Sequence, residues 1–384
     1  MTKFLKKLLA VVLLVSLAAP WNNKALAADN MNYVNESISI YNSYFKGGKH
    51  QPELDVLLQR NAIDVVFLAT LYNTIKNSNP TLASSVRTDA ISLLDDLRME
   101  MHKNRGWEAE VFENPDAGLV LFAFSKGIEY LKIQPGSAKD TAYRNLMTDI
   151  INEMSQKKSS KLGFKSSDWT NPPTHNYSCA GGLKAYTKAN NVLAVYAAGL
   201  AAYNKNIAQL SADNEAMMKE FGLYTKYTQQ ANGVWLIGAS SGERVCNMDV
   251  GYFSSSIFGS AVVGKYTAGE SSIFYKAAIN GVEALDEYNK LKKDKNGIPL
   301  NTMEKISNGL LTASGVRYVD EGQVHAWALP ISYVDTVESE TLFNRIYPPA
   351  KEYVDIYEAP YNLGNGQHFH RLIHGLAGAL ENGY

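Results

Sequence analysis

The sequence predicts an all-α protein built from stacked antiparallel helical hairpins, which we expect to close into an α/α toroid. Three observations lead to this prediction. Apolar residues recur at the helical period from Asn35 onward, alternating strand patterns are scarce, and long aromatic-rich segments separate the pairs of helices. An open solenoid or an irregular bundle is the alternative that the same pattern allows.

The helices can be placed by their apolar stripes and by the breaks between them. Pro80 ends the first stripe, Asn79-Pro80 opens the second helix, and Asn114-Pro115-Asp116 opens the third. Later helices follow the same rhythm. The predicted helices cover residues 54–71, 81–103, 114–131, 140–156, 182–204, 211–230, 249–266 and 270–292.

Glycines inside the predicted helices favour the closed ring. Gly199, Gly259 and Gly264 have small neighbours, so two helix backbones can approach closely there. The least helical stretch is 315–337, where residues 317–319 and 328–334 are predicted to form a few short strands.

The segments between helical pairs are rich in glycine, asparagine, proline and aromatic residues. A helix of about 20 residues is roughly 30 Å long, so a hairpin returns the chain to the end from which it started. Successive long loops should therefore gather at one end of the molecule, and we expect the functional site there. These loops are 105–113, 159–181, 232–248, 315–330 and 358–367.

Composition excludes several classes of protein. With 384 residues, 46% of them hydrophobic and 20% charged, the chain has enough apolar material for a large core. Disordered, collagen-like and disulfide-stapled small proteins are thereby excluded. The formal net charge of −1 argues against a basic nucleic-acid-binding surface, so no nucleic-acid partner is expected.

The N-terminus has the pattern of a secretory signal peptide. Lys3, Lys6 and Lys7 precede an apolar run over residues 8–19, and Ala25-Leu26-Ala27 offers a cleavage site after Ala27. The run is too short for a permanent membrane helix, so no stable membrane insertion is expected. We expect a secreted (extracellular or periplasmic) bacterial protein with one α-helical domain over 28–384. Cleavage would change the formal net charge from −1 to −5 by removing four lysines and no acidic residue.

The two cysteines are predicted to pair. Cys179 and Cys246 would meet an oxidising environment after export, where two thiols in a chain are more often bridged than free. Two separate buried thiols are the alternative.

The predicted loops combine aromatic rings with carboxylates, histidines, arginines and amides. Sugar-binding clefts need this combination, because pyranose faces stack on rings while hydroxyl groups need polar partners. We therefore expect an extracellular polysaccharide or other glycan as the ligand; the alternative is that the aromatic residues only cap the toroid. The predicted substrate-binding residues are Trp107, Trp169, Trp235, Trp327, Tyr361 and His368.

Two reactions fit the ionisable residues of the loops. Hydrolysis needs two carboxylates, and Asp320 or Glu321 could pair with Glu108, Glu110, Asp168 or Asp249. Elimination next to a uronate carboxylate needs a base and a group that stabilises negative charge. The predicted catalytic residues are His175, Arg244, Asp320, Glu321 and His325.

A short resemblance bears on elimination. Asn190-Asn191, with Arg244 and Tyr252, is similar to part of the constellation of alginate lyases with an α/α-toroid fold, but Val192 stands where that family has histidine. No family is assigned on these residues.

Three histidines occur as His368-x-His370-x-x-x-His374, a spacing that places the last two on one helical face. The neighbour of His370 is Arg371, a poor companion for a cation, so neither a metal nor another cofactor is predicted. His374 is expected to be a core residue whose ring nitrogens have hydrogen-bond partners.

The leading functional prediction is a secreted carbohydrate-active enzyme that works by hydrolysis or elimination. The alternative is a non-catalytic glycan- or protein-binding adhesion protein.

Overall fold

The computed structural model describes residues 32–48, 58–103, 115–158, 166–178, 184–236, 249–269, 272–290, 321–358 and 367–384. Within these ranges the chain forms twelve α-helices, two short 3-10 turns and one two-stranded hairpin. The helices are α1 Tyr33–Tyr44, α2 Leu58–Ile75, α3 Pro80–Lys103, α4 Asp116–Tyr130, α5 Ala138–Lys157, α6 Asn190–Asn206, α7 Ala212–Thr228, α8 Val250–Thr267, α9 Ile273–Lys290, α10 Glu321–Ala328, α11 Val337–Tyr357 and α12 Gln367–Asn382.

Six helical segments form a closed inner ring. Helix α2 packs against α4, α4 against α6, α6 against α8, α8 against α10 and the 3-10 turn Leu329–Tyr333, this turn against α12, and α12 against α2. Each inner segment also packs against an outer helix, in the order α3, α5, α7, α9, α11 and α1. The fold is therefore the predicted all-α toroid, and its closure decides against the open solenoid.

The burial of the helices matches these positions. Helices α2, α4, α6 and α8 are buried on nearly all sides, as a helix surrounded by other helices must be. Helices α5 and α7 instead bury one face. Side chains that accept backbone N–H bonds start several helices: Ser137 for α5, Ser211 for α7 and Thr336 for α11.

Two glycines let the inner helices approach at close range. A Cβ on Gly199 of α6 would lie 2.5 Å from the carbonyl oxygen of Gly118 in α4, and one on Gly259 of α8 would lie 2.4 Å from that of Ala194 in α6. Both distances are too short for any side chain. The predicted role of these glycines in close helix packing is confirmed.

The inner helices run in the same direction. After five of the six inner segments, only three to seven residues separate the end of the segment from the start of the next outer helix. The longer segments connect outer to inner helices, so they join the described residues at the N-terminal end of the ring, where the sequence predicts the functional loops.

The strands predicted near 315–335 are wrong where the structure describes that segment. Glu321–Ala328 forms α10, and the 3-10 turn Leu329–Tyr333 follows with Pro330 in its first turn. Both lie in the inner ring, where full burial removes the periodicity that separates a helix from a strand. Residues 317–319 lie outside the described residues.

A hairpin that the sequence did not predict replaces the start of the predicted helix 182–204. Strands β1 Thr174–Ser178 and β2 Lys184–Tyr186 pair antiparallel, with Thr174 opposite Tyr186. The amide of Gln230 accepts from the Lys184 backbone N–H at 3.0 Å and donates to its carbonyl at 3.1 Å. This tertiary contact satisfies the hydrogen-bonding groups of the extended backbone, so α6 begins only at Asn190.

No helix in the described ranges combines the length and the apolarity that crossing a bilayer requires.

Candidate functional site

Buried polar side chains concentrate in the first two turns of the inner helices, at the N-terminal end of the ring. Such residues are rarely buried unless they are paired or have a function. We call this group the N-terminal cluster. Its members are Arg60, Asn61, Asp64, Asp116, Asn190, Asn191, Asp249, Ser255, His325, His368, His370 and Arg371.

Asp64 and His370 join two neighbouring inner helices. Oδ1 of Asp64 in α2 lies 3.3 Å from Nε2 of His370 in α12, and both side chains are almost completely buried. The two atoms are within ion-pair distance, but their alignment is not that of a hydrogen bond. This pair is the most deeply buried acid–base contact in the described part of the cluster.

Two adjacent asparagines at the start of α6 differ in their surroundings. The amide of Asn190 donates to the Leu236 carbonyl at 2.8 Å, and its oxygen accepts from the Ser256 hydroxyl at 3.3 Å. Oδ1 of Asn191 is buried and finds no hydrogen-bond partner among the described residues. Asn190 therefore holds α6 against α8, whereas Asn191 keeps an unused acceptor in the cluster.

Arg371 brings a positive charge into the same region. Its guanidinium lies over the ring of Trp327, 4.5 Å from the centroid, and Nη1 lies 3.4 Å from Oγ of Ser255. The residue is 9% exposed. Arg371 thus links α12 to α10 and α8.

His368 is held by a carboxylate and by two aromatic rings. Nδ1 lies 2.5 Å from Oε1 of Glu358 at the end of α11. The imidazole meets Trp327 edge to face at 5.9 Å and Tyr353 at 5.1 Å. The same Glu358 accepts the backbone N–H of Phe369 at 2.8 Å, so it also caps the start of α12.

His374 lies one turn deeper, between the rings of Phe258 and Tyr333. Burial lowers the pKa of His374 to about 3, and the charge of Arg371 adds to this shift. It is a core residue, as predicted, but neither ring nitrogen has the expected hydrogen-bond partner within the described ranges.

Two further carboxylates belong to the cluster. Asp116 opens α4 and lies near the Tyr196 hydroxyl; burial raises the pKa of Tyr196, and the negative charge of Asp116 raises it further. Asp249 caps α8, because its Oδ1 accepts from the backbone N–H groups of Gly251 at 2.8 Å and Tyr252 at 3.3 Å. Asp249 therefore has a structural role that accounts for its position.

Two of the predicted substrate-binding rings are core residues instead. Trp235 is 1% exposed, packs against Phe253, and donates its indole N–H to the Thr225 carbonyl at 2.7 Å. Trp169 is 5% exposed and packs against Phe221. The position of tryptophan near a loop does not distinguish a ring that faces a cleft from one that anchors the loop to the core.

Two other predicted residues, Trp327 and His368, do meet in the cluster, and His325 is buried two residues before Trp327. One face of Trp327 carries Arg371, and its ring edge covers Gly251, where a Cβ would lie 2.5 Å from Cε3. One face of the Trp327 ring is therefore covered by Arg371 and is not open for stacking on a sugar.

The remaining predicted site residues fall into two groups, those outside the described residues and those of which only the backbone is described. Trp107, Arg244, Asp320, Tyr361 and both cysteines of the predicted disulfide, Cys179 and Cys246, lie outside the described residues. His175 lies in β1 and Glu321 begins α10, and for these two the structure describes the backbone.

Sequence reasoning missed Asp64 and Glu358, and it noted Asn191 and Arg371 without assigning them to the predicted site. Asp64 carried a usable signal, since it is a lone acidic residue within the apolar stretch of α2. In the described part of the chain, no three histidine, cysteine, aspartate or glutamate side chains converge as a metal site requires.

Comparisons with known proteins add one finding about the fold. The sequence matches no family profile and no curated protein. Among solved structures, the chain is similar to the crystal structure of a family 76 glycoside hydrolase from a bovine Bacteroides thetaiotaomicron strain. The likeness has a TM-score of 0.51 and 10% sequence identity, and it covers 93% of this chain and 79% of that one. It supports the toroid fold described above.

Proposed function

We propose that this protein is a secreted carbohydrate-active hydrolase that acts on a polysaccharide at the N-terminal end of the inner ring. The observation that carries the proposal is the N-terminal cluster, in which buried carboxylates, imidazoles and two guanidinium groups gather at the N-terminal end of the inner ring. The likeness to a glycoside hydrolase over most of the chain supports it as an analogy of fold.

Hydrolysis of a glycosidic bond needs a protonated donor to the leaving oxygen and a second group that activates water or attacks the anomeric carbon. Asp64 and Asp116 are two buried carboxylates of the cluster, on the neighbouring inner helices α2 and α4. Asp64 has the imidazole of His370 beside it at 3.3 Å, within ion-pair distance. We assign Asp64 the leading catalytic role.

Secretion is part of the same proposal. The charged start, the short apolar run and the Ala25-Leu26-Ala27 site support export with removal of residues 1–27. A polysaccharide is too large to enter a cell intact, so an exported enzyme is the form that meets it. A bridge between Cys179 and Cys246 remains a prediction of the sequence and fits an exported chain.

The test is incubation with a panel of neutral and acidic polysaccharides, followed by measurement of new reducing ends and of the ultraviolet absorbance of unsaturated products. We expect new reducing ends without absorbance. Asp64→Asn should lower kcat by at least about 100-fold with KM nearly unchanged, because it removes the proton-transferring group and keeps the side-chain shape. Asp213→Asn on the exposed surface of α7 is the matched control.

Three results would count against the proposal. Absorbance together with reducing ends would indicate elimination instead of hydrolysis. Full activity of Asp64→Asn would remove Asp64 from the reaction. Retention on glycan affinity gels without any cleavage would indicate the binding protein that the sequence also allows.

A further inference from the structure

The carboxylate of Glu358 is held in place by backbone N–H groups, independently of the His368 side chain. Its Oε2 accepts the backbone N–H of Phe369 at 2.8 Å, and its Oε1 lies 3.4 Å from the backbone nitrogen of His368. These contacts place the carboxylate at the N-terminus of α12, where the helix dipole stabilises a negative charge. The side chain is 7% exposed. Glu358 is therefore a rigid acceptor for one nitrogen of His368.

The contact with Glu358 sets which nitrogen of His368 carries the proton. An ionised carboxylate can only accept hydrogen bonds, so Nδ1, 2.5 Å from Oε1, is the donor. In a neutral imidazole Nε2 then has a free lone pair. That atom is buried and has no hydrogen-bond partner within the described part of the chain. A buried acceptor without a partner costs free energy, so a donor from a ligand would be favoured there.

Two rings fix the plane of the imidazole. Trp327 and Tyr353 meet it at interplanar angles of 88° and 75°. With Glu358 on one edge, His368 keeps one orientation and one tautomer before any ligand arrives. His370, two residues later, differs because its Nε2 is the nitrogen that faces a carboxylate.

We propose that His368 is a proton-accepting catalytic residue of this site and that Glu358 is its positioning residue. This inference rests on the proposed hydrolysis. Nε2 takes a proton from the attacking water while the water oxygen forms its bond to the anomeric carbon. The bond from that carbon to the leaving oxygen breaks, and the leaving oxygen takes its electron pair and receives a proton from a carboxylic acid of the cluster. Glu358 stabilises the imidazolium that results.

The first test needs no activity. Nitrogen-15 NMR of the histidine side chains in the whole protein reports the tautomer of each imidazole, and His368→Gln assigns the signal. We expect the Nδ1–H tautomer for His368, and a shift of its Nε2 signal with at least one oligosaccharide when oligosaccharides of the same neutral and acidic polysaccharides are added one at a time. Glu358→Gln should change the tautomer population, since an amide oxygen is a weaker acceptor than a carboxylate.

The second test is kinetic. His368→Gln should lower kcat by about 100-fold or more and change KM by less than about 3-fold, as expected for a general base. Glu358→Gln should lower kcat by about 10-fold and change KM by less than about 3-fold, because the imidazolium formed in the reaction loses its negative partner. The exposed His102 in α3 provides the control, and His102→Gln should stay within about 2-fold of the parent protein.

The outcomes separate this proposal from the proposed function. An Nε2–H tautomer, or an Nε2 signal that no oligosaccharide shifts, would overturn the role of His368. Cleavage retained by His368→Gln would overturn it while the hydrolase proposal stands. A shifted Nε2 signal in a protein that cleaves nothing would overturn the catalytic role together with the hydrolase proposal and leave His368 as a binding residue.

Discussion

The two ends of the inner ring both bury charged side chains, but these side chains make different contacts at each end. At the C-terminal end, Nζ of Lys126 donates to Oε1 of Glu381 at 3.0 Å and to the Tyr130 hydroxyl at 2.8 Å, and it lies over the rings of Tyr130 and Tyr266. At the N-terminal end, Asn191 and His368 keep buried atoms that no described residue bonds.

Electrostatics at the C-terminal end centre on the buried ion pair between Lys126 and Glu381. Burial is the largest influence on the pKa of Lys126 and would lower it, but Glu381 and Tyr266 together raise it above its ordinary value. Lys126 therefore stays charged. The network joins the last turns of α4, α8 and α12, and so it holds these three inner helices together at the C-terminal end of the ring.

The difference between the ends suggests how to tell a structural group of buried charges from a functional one. A structural network uses its donors and acceptors within the protein, because each unused buried group costs about 1–3 kcal/mol. A site for a polar ligand keeps some of them unused until the ligand binds. Oε2 of Glu381 also has no hydrogen-bond partner among the described residues, so unused atoms alone do not separate the two ends. The N-terminal end differs because it combines the unused acceptors of Asn191 and His368 with two carboxylate–imidazole contacts, Asp64–His370 and Glu358–His368. We therefore take it as the functional end, and the following changes should separate the two ends.

The largest effect is expected at the C-terminal end. Lys126→Met should lower the free energy of unfolding by about 3–5 kcal/mol, because it leaves the buried Glu381 carboxylate without its partner. Urea denaturation at pH 7 measures this. The double variant Lys126→Met with Glu381→Met removes both charges and should recover at least half of the loss. A single variant as stable as the parent protein would show that the network is not structural.

A smaller effect, which depends on pH, is expected at His374. Its folded pKa of about 3 lies below the ordinary 6.5, so the unfolded chain binds a proton that the folded chain does not. Stability is therefore lost as pH falls from 6.5 toward 3, by about 1.4 kcal/mol per unit for this group. His374→Phe keeps ring contacts with Phe258 and Tyr333 and lacks this dependence.

Urea denaturation of both proteins between pH 4 and pH 8 makes the comparison. At pH 5 we expect His374→Phe to be more stable relative to the parent protein than at pH 8, by about 2 kcal/mol. The difference between the two proteins should be constant above about pH 7. Parallel stability curves over the whole range would show that His374 is not the buried neutral imidazole described here.

The sequence was sufficient to predict the ring of helices but not the residues that form the candidate site. Helical periodicity and the glycines at 199 and 259 are local signals, and the structure confirms the helices and close packing that they predict. The hairpin β1–β2 depends on Gln230, which is remote in sequence, and no local pattern announces it. Likewise Asp64 meets His370 only because α2 and α12 close the ring. Trp235 was misassigned because its burial is decided by tertiary packing.

Asp249 gives the smallest effect and the sharpest check of the comparison, since it lies at the functional end but uses its carboxylate within the protein. Oδ1 accepts two backbone N–H groups at the start of α8. Asp249→Ala should therefore lower the free energy of unfolding by about 1 kcal/mol, the usual cost of losing a helix cap. Asp249→Asn, which keeps a capping oxygen, should stay within about 0.5 kcal/mol of the parent protein. Thermal and urea denaturation measure both. If the asparagine variant loses as much as the alanine variant, the negative charge of Asp249 stabilises the fold beyond capping, through the dipole of α8. If neither variant loses stability, the carboxylate is not needed by the fold, and Asp249 belongs with Asp64 among the groups kept for the ligand.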